Sequence, residues 1–182
     1  MRVHETLGTT NIGIGSMPLE PRSSKEELLK FIDQFNEVAE KVNKHGFKLT
    51  YHNHSFEFHK FDGKTIFDYL IDGFNPKTTS FVFDTYWVQH GGADVRAMLE
   101  RLSGRIDYMH LKDMGAFDEK TSAPYITTLG MGNINFKDII PLAEKTGVKA
   151  FAIEQDSGWI DNDPFISAKA SYDYLKTNGL LG

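Results

Sequence analysis

The densest chemistry in this 182-residue chain lies in KLTYHNHSFEF, Lys48 to Phe58, where a strand-like run ends in His52, Asn53, His54 and, a little later, Glu57. Three further segments finish in the same vein: FVFD at Asp84, DYMH at His110 and FAIE at Glu154. Imidazole nitrogens and carboxylate oxygens make a mixed donor set that suits one divalent ion such as Mn²⁺, Co²⁺, Zn²⁺, Mg²⁺ or Fe²⁺. The chain has no cysteine, which excludes a thiolate metal site, a thiolate nucleophile and a disulfide framework. A single His or Asp at a strand end is ordinarily a cap or a satisfied hydrogen bonder. Four successive strands ending this way point to ligands for one metal: His52, Asp84, His110 and Glu154.

Such residues converge only if the strands run parallel, so that their C-terminal ends share one face. The punctuation of the sequence supports that. Thr10–Gly15 reads as a strand and Lys25–His45 as a helix with an apolar stripe, closed by Gly46. Strands are expected at Phe47–Asn53, Thr79–Thr85, Arg105–Asp113 and Val148–Asp156. Helices are expected at Thr65–Phe74, Ala93–Gly104, Ile134–Gly147 and Asp163–Gly179, with Pro141 a kink or an early turn in the third of these. Met114–Met131 is expected to be a long loop. Strict β-α alternation predicts an α/β fold with a parallel sheet. Runs such as FVF and AFAI predict strands covered on both faces. No linker divides the chain, so residues 1–182 are expected to form one domain.

Other residues fall around the expected site. His54 lies two past His52 and shares its side of the strand, whereas Tyr51 and Asn53 point the other way. Lys112 shares the side of His110, where an ammonium can meet a substrate oxyanion, or can pair with Asp113 or another rim carboxylate. Trp87, three past Asp84, offers either a flat wall for a sugar's C–H face or core packing. Gly130 and Gly132 shape a turn; their spacing is no dinucleotide fingerprint. His4, His45, His59 and His90 are expected at the surface.

Composition narrows the class. The formal net charge is −5 and no Lys/Arg run occurs, so no nucleic-acid partner is expected. No stretch approaches ~20 apolar residues and the first residues lack an apolar targeting core, which predicts a cytoplasmic protein without a membrane partner.

The motifs YHNHSFEF, FVFDTYWVQHGGAD, GRIDYMHLKDMG, LGMGNINFKDII and FAIEQD, in this order and spacing, resemble the sugar phosphate isomerase/epimerase (xylose isomerase-like TIM-barrel) superfamily. The resemblance runs from about Thr10 to the end. It implies a partial barrel of about five βα units, the last five of eight, lacking the N-terminal strands. It also implies one divalent metal held by residues that are typically Glu, Asp, His and Glu. Asp84, His110 and Glu154 match the last three. Where many relatives read Glu-Asn-His, this chain reads His52-Asn53-His54, in a register similar to the inosose dehydratase branch. In the epimerases two metal-bound glutamates move the proton. By that resemblance Glu154 keeps one catalytic place, Glu57 is a replacement for the other, and Lys112 and His54 assist. Trp87 and Asp113 would contact substrate.

The implied activity is isomerisation, epimerisation or inosose-type dehydration of a small sugar or inositol-like substrate through an enediolate. A non-catalytic ligand-binding or assembly remnant, and an endonuclease-type hydrolase of the same superfamily, remain as alternatives. Five strands leave two open edges, so a homodimer is the expected assembly.

Overall fold

The structure is a computed structural model describing residues 2–181. In chain order the elements are α1 (Arg2–Leu7), β1 (Asn11–Ile14), α2 (Lys25–Asn43), β2 (Lys48–His52), β3 (Lys60–Phe61), β4 (Lys64–Thr65), α3 (Ile66–Gly73) and β5 (Thr79–Asp84). They continue with α4 (Thr85–His90), α5 (Val95–Arg101), β6 (Ile106–Leu111), β7 (Asp113–Gly115), β8 (Tyr125–Thr127), α6 (Phe136–Lys145), β9 (Ala150–Ile153) and α7 (Pro164–Thr177). Five strands form one parallel sheet in the order β1-β2-β5-β6-β9, which is also their order in the chain. Each crossover carries helix onto the same convex side, and the sheet with its helices is half of a βα barrel.

Local chemistry explains the helices that build this face. Ser24 accepts a hydrogen bond from the Glu27 amide and starts α2, whose Leu28, Ile32, Phe35 and Ala39 recur at helical spacing and are buried. Thr65 and Asp68 cap α3 reciprocally, each side chain accepting from the other's backbone amide. Leu49, Tyr51, Phe81, Phe83, Met109 and Leu111 of the convex sheet face are all buried. Phe35 stacks on Phe74 with ring centroids 4.1 Å apart, and both rings lie edge-on to Tyr51. Full burial of each such side chain is worth about 1.5–3 kcal/mol.

The concave face differs from the expectation of two covered faces. Val82 is half-buried and Tyr108 is 39% exposed, and Ala152 of β9, beside His110, is exposed. Five strands do not curl far enough to bury their own inner side chains. Polar residues occupy the lower part of this face: Asp107 accepts from Asn11 of β1 and pairs with Lys48 and Lys149, tying β1, β2 and β9 to β6.

Other differences are local. Asp84, at the end of β5, caps α4, a six-residue helix absent from the expected elements. Part of the expected Met114–Met131 loop is the antiparallel hairpin of β7 and β8. Pro141 sits inside an uninterrupted α6. His4 is half-buried, hydrogen bonded through Nδ1 to Thr9 and edge-on to Phe47, whereas His45, His59 and His90 are exposed as expected.

Candidate metal centre

His52 is the last residue of β2, Asp84 the last of β5, His110 lies one before the end of β6, and Glu154 follows β9 directly. The register places Asp84 opposite His110, and His110 opposite Ala152, so the parallel ladder brings the four to one end of the sheet. One ligand atom from each of the four lies within 4.8 Å of all the others. His52 Nε2 is 3.4 Å and His110 Nδ1 3.7 Å from Asp84 Oδ2, and His110 Nδ1 pairs closely with Glu154 Oε2.

Asp84 is held from both sides. Its Oδ1 accepts from the Trp87 amide at 3.0 Å, which fixes the carboxylate at the start of α4 and leaves Oδ2 turned to the imidazoles. Asn53, fully buried, accepts from the Asp84 amide at 2.9 Å and donates to its carbonyl at 3.4 Å. From the buried side of the chain its side chain clamps the Asp84 backbone. His52 is steadied by the Gly15 carbonyl, 3.1 Å from Nδ1. Thr85 Oγ1 bonds the carbonyls of His110 and Lys112 and accepts from the Lys112 amide, joining β5 to β6 at the rim.

The charges reinforce one another. Burial favours neutral Asp84, but the His110 and His52 imidazoles and the Lys112 charge outweigh it and hold the carboxyl below its usual range. Burial likewise favours neutral Glu154, and His110 and Lys112 overcome it, keeping the acid ionised. Burial pulls His110 down, yet Asp84 and Glu154 raise it to about 9. His54 goes the other way: burial and the nearby His52 lower it to about 4, so its ring is neutral at neutral pH.

The residues fit a divalent cation. Two imidazole nitrogens and two carboxylate oxygens are borderline-to-hard donors. His110 Nδ1 and Glu154 Oε2 are buried, and neither has a directed hydrogen-bond partner among the described residues.

The remaining expected site residues divide. Lys112 is buried against the cluster, with Nζ 3.5 Å from Glu154 Oε1 and 3.8 Å from Asp84 Oδ2. Its closest partner is Asp156, not Asp113. His54 stands edge-on to His52 with centroids 4.7 Å apart, and together with Phe56 and Trp87 forms an aromatic wall. Trp87 also faces Lys112, whose Nζ lies 5.2 Å from its ring.

Glu57 and Asp113 are not brought to the cluster. A short helical turn at Phe56–Phe58 folds Glu57 back beneath the strand, where it is fully buried. There it accepts from Tyr51 Oη at 2.6 Å and from the His54 amide at 2.9 Å. Burial raises its carboxyl above the usual value. Asp113 is also fully buried and accepts from the amides of Met114, Gly130, Gly132 and Ile134, organising the loop before α6. Neither carboxylate, expected in a catalytic and a substrate-binding place respectively, faces the open side of the sheet.

Known proteins resemble the chain at several levels. The inosose dehydratase of Mesomycoplasma hyopneumoniae is 26% identical over 174 residues, covering 87% of this chain and 57% of that enzyme. A sugar phosphate isomerase/epimerase from Parabacteroides distasonis superposes with a TM-score of 0.81 at 23% identity, over 100% of this chain and 62% of that one. A xylose isomerase-like TIM barrel protein from Mycobacterium smegmatis, solved in complex with magnesium, gives a TM-score of 0.70 at 16% identity, over 99% of this chain and 65% of that one. The chain therefore spans little more than half the length of the inosose dehydratase it matches. The model of the xylose isomerase-like TIM barrel family matches residues 1–177, and with its parallel half-barrel the chain belongs to that family.

Proposed function

We propose that the chain carries the metal-binding half of an enzyme that moves a proton beside a carbonyl of a small polyhydroxy substrate. The reaction would be isomerisation, epimerisation or dehydration of a sugar or inositol derivative. The observation that carries this reading is the convergence of four ligand atoms from four strand ends within 4.8 Å. His52, Asp84, His110 and Glu154 would hold one divalent ion, which when bound would polarise neighbouring substrate oxygens as a Lewis acid.

The chain's own side chains supply the rest. Glu154, kept ionised by His110 and Lys112, is the acceptor for the substrate's carbon-bound proton. The Lys112 ammonium offsets negative charge that develops on the substrate as an enediolate. His54, neutral and set against Trp87, is suited to accept a proton rather than to donate one as an imidazolium. Trp87, His54 and Phe56 present flat faces to the C–H side of a ring substrate and exclude water there.

The open concave face favours a second reading, a binding or assembly unit without turnover of its own. The experiment that separates the two has two stages. Elemental analysis of protein purified without chelator should give about one divalent ion per chain. Asp84→Ala and Glu154→Ala should each abolish it, and retention of full metal by both variants would overturn the site. Solvent deuterium exchange into a panel of ketoses and inososes then distinguishes enzyme from binder.

A further inference from the structure

Lys112 is a lysine with a side chain only 1% exposed, and its ammonium faces three carboxylates at once. Glu154 and Asp84 are two of them, and both belong to the converging four. The third, Asp156, stands outside that set, makes the shortest of the three ion pairs, and is 57% exposed on the turn after β9. The opposite side of the ammonium is closed by the rings of Trp87 and Tyr86, 5.2 and 5.9 Å away.

The turn that carries Asp156 is built to stay in place. Gln155 Nε2 donates to the carbonyls of Ser157 and Gly158, and Trp159 Nε1 donates to the Gln155 carbonyl. Gly158 has φ +66°, and a Cβ there would lie 2.1 Å from the Ile126 carbonyl oxygen of β8, so the turn packs against the hairpin where a side chain would not fit. Asp156 is thereby presented to Lys112 from the solvent side.

We propose that Asp156 is a positioning residue of the metal centre: it takes the closest hold on the Lys112 ammonium and so weakens that ammonium's hold on Asp84 and Glu154, leaving those carboxylates to the cation. The inference rests on the metal-binding reading above. An ammonium on a four-carbon stem can swing between anionic partners. In a site sheltered from water, a unit charge a few ångströms from two ligand carboxylates competes directly with a metal for them. With Asp156 present, three carboxylates are shared between one ammonium and one divalent ion, and the cluster is neutral. Without it, Lys112 turns to Glu154 and Asp84, and the ion must displace it.

A double-mutant cycle on Mn²⁺ affinity, read by isothermal titration, tests this. Asp156→Asn should weaken Mn²⁺ by about tenfold, near 1.4 kcal/mol. Asp156→Glu should restore most of the loss. Lys112→Met, which keeps the stem's length, should bind at least as tightly as the wild type. Adding Asp156→Asn to Lys112→Met should change affinity by less than about threefold. An equal loss in both backgrounds would mean that Asp156 acts on the ion directly, and would overturn the proposal. Lys112→Gln serves as a second background if Lys112→Met unfolds without metal, as judged by near-UV circular dichroism. Failure of the wild type to bind Mn²⁺ would overturn the metal site and this inference together. Binding by the wild type with an additive cycle would overturn this inference alone.

Discussion

Asn53 holds Asp84 by its backbone: the Asn53 carboxamide accepts the Asp84 amide at 2.9 Å and donates to the Asp84 carbonyl at 3.4 Å. The pair links the ends of β2 and β5, where no ladder bond is left to do so. Asn53→Ala removes the acceptor of the buried Asp84 amide, at a cost of about 1–3 kcal/mol. The expected outcome is a lower thermal midpoint together with weaker divalent-metal binding, because the carboxylate of Asp84 loses its fixed direction. Differential scanning calorimetry with and without Mn²⁺ checks both. A variant with unchanged midpoint and unchanged affinity would show that the α4 cap alone orients Asp84.

The pH dependence follows from His110. Asp84 and Glu154 raise its imidazole to about 9 in the metal-free chain, so it is protonated at neutral pH. A metal takes the neutral imidazole, and binding must expel that proton. Affinity should rise about tenfold per pH unit from about pH 7 and level off near the raised value. Stability runs in the opposite direction. A raised folded-state value for a histidine stabilises the metal-free chain fully below about 6.5 and loses that contribution as pH rises through about 9. Titration at pH 7.5 in two buffers of different ionisation enthalpy should report about one proton released per ion. No release would show that His110 is not displaced.

Asp113 predicts a separation between stability and binding. Its carboxylate gathers four amides, and a Cβ at Gly132 would come within 2.3 Å of its Oδ1. Gly132→Ala should drive the carboxylate out of that nest and destabilise the fold by about 1–3 kcal/mol. Asp113→Asn should destabilise as well, since an amide cannot accept at both ends. Urea denaturation gives the losses. Divalent-metal affinity measured well below the midpoint should stay within about twofold of the wild type. A large loss of affinity in Asp113→Asn would instead return Asp113 to the site.

The convergence of the four residues was legible because strand ends are legible. His52, Asp84, His110 and Glu154 each close an apolar run, and parallel topology alone gathers them. Trp87 and Lys112 were placed near the site by the same counting. What lay outside that rule was lost. Asn53 acts through a side chain bonded to backbone, which has no periodicity. Glu57 looked like a rim carboxylate because spacing cannot show that one helical turn folds it under the strand to Tyr51. Lys112 was expected to pair with Asp113 or another rim carboxylate; counting along the strand could not show that the partner is Asp156, after the neighbouring strand β9. Helix α4 and the β7–β8 hairpin are too short for a hydrophobic pattern to build up.

The last prediction concerns assembly. Among the described residues, strands β1 and β9 each pair on one side only, so the sheet ends in two parallel edges. Around β9 the apolar side chains of Phe151, Ile153, Leu175 and Leu180 line a groove, and Ile153 is 37% exposed. On the concave face Tyr108 is 39% exposed. We propose a second copy of the chain as the occupant. A two-fold axis along the strand direction sets β9 of one copy beside β1 of the other, and does so twice, with every strand still parallel. Both edges are then paired, the concave faces enclose a common interior, and the two metal centres open at the same end. An interface of this kind should bury more than about 2,000 Å² and be strongly apolar. Size-exclusion chromatography with light scattering should give twice the 20.6 kDa chain mass at micromolar concentration. Ile153→Lys, set in the proposed seam, should return the protein to monomers without removing any of the four proposed metal-holding residues. A monodisperse 20.6 kDa wild type would refute the pairing.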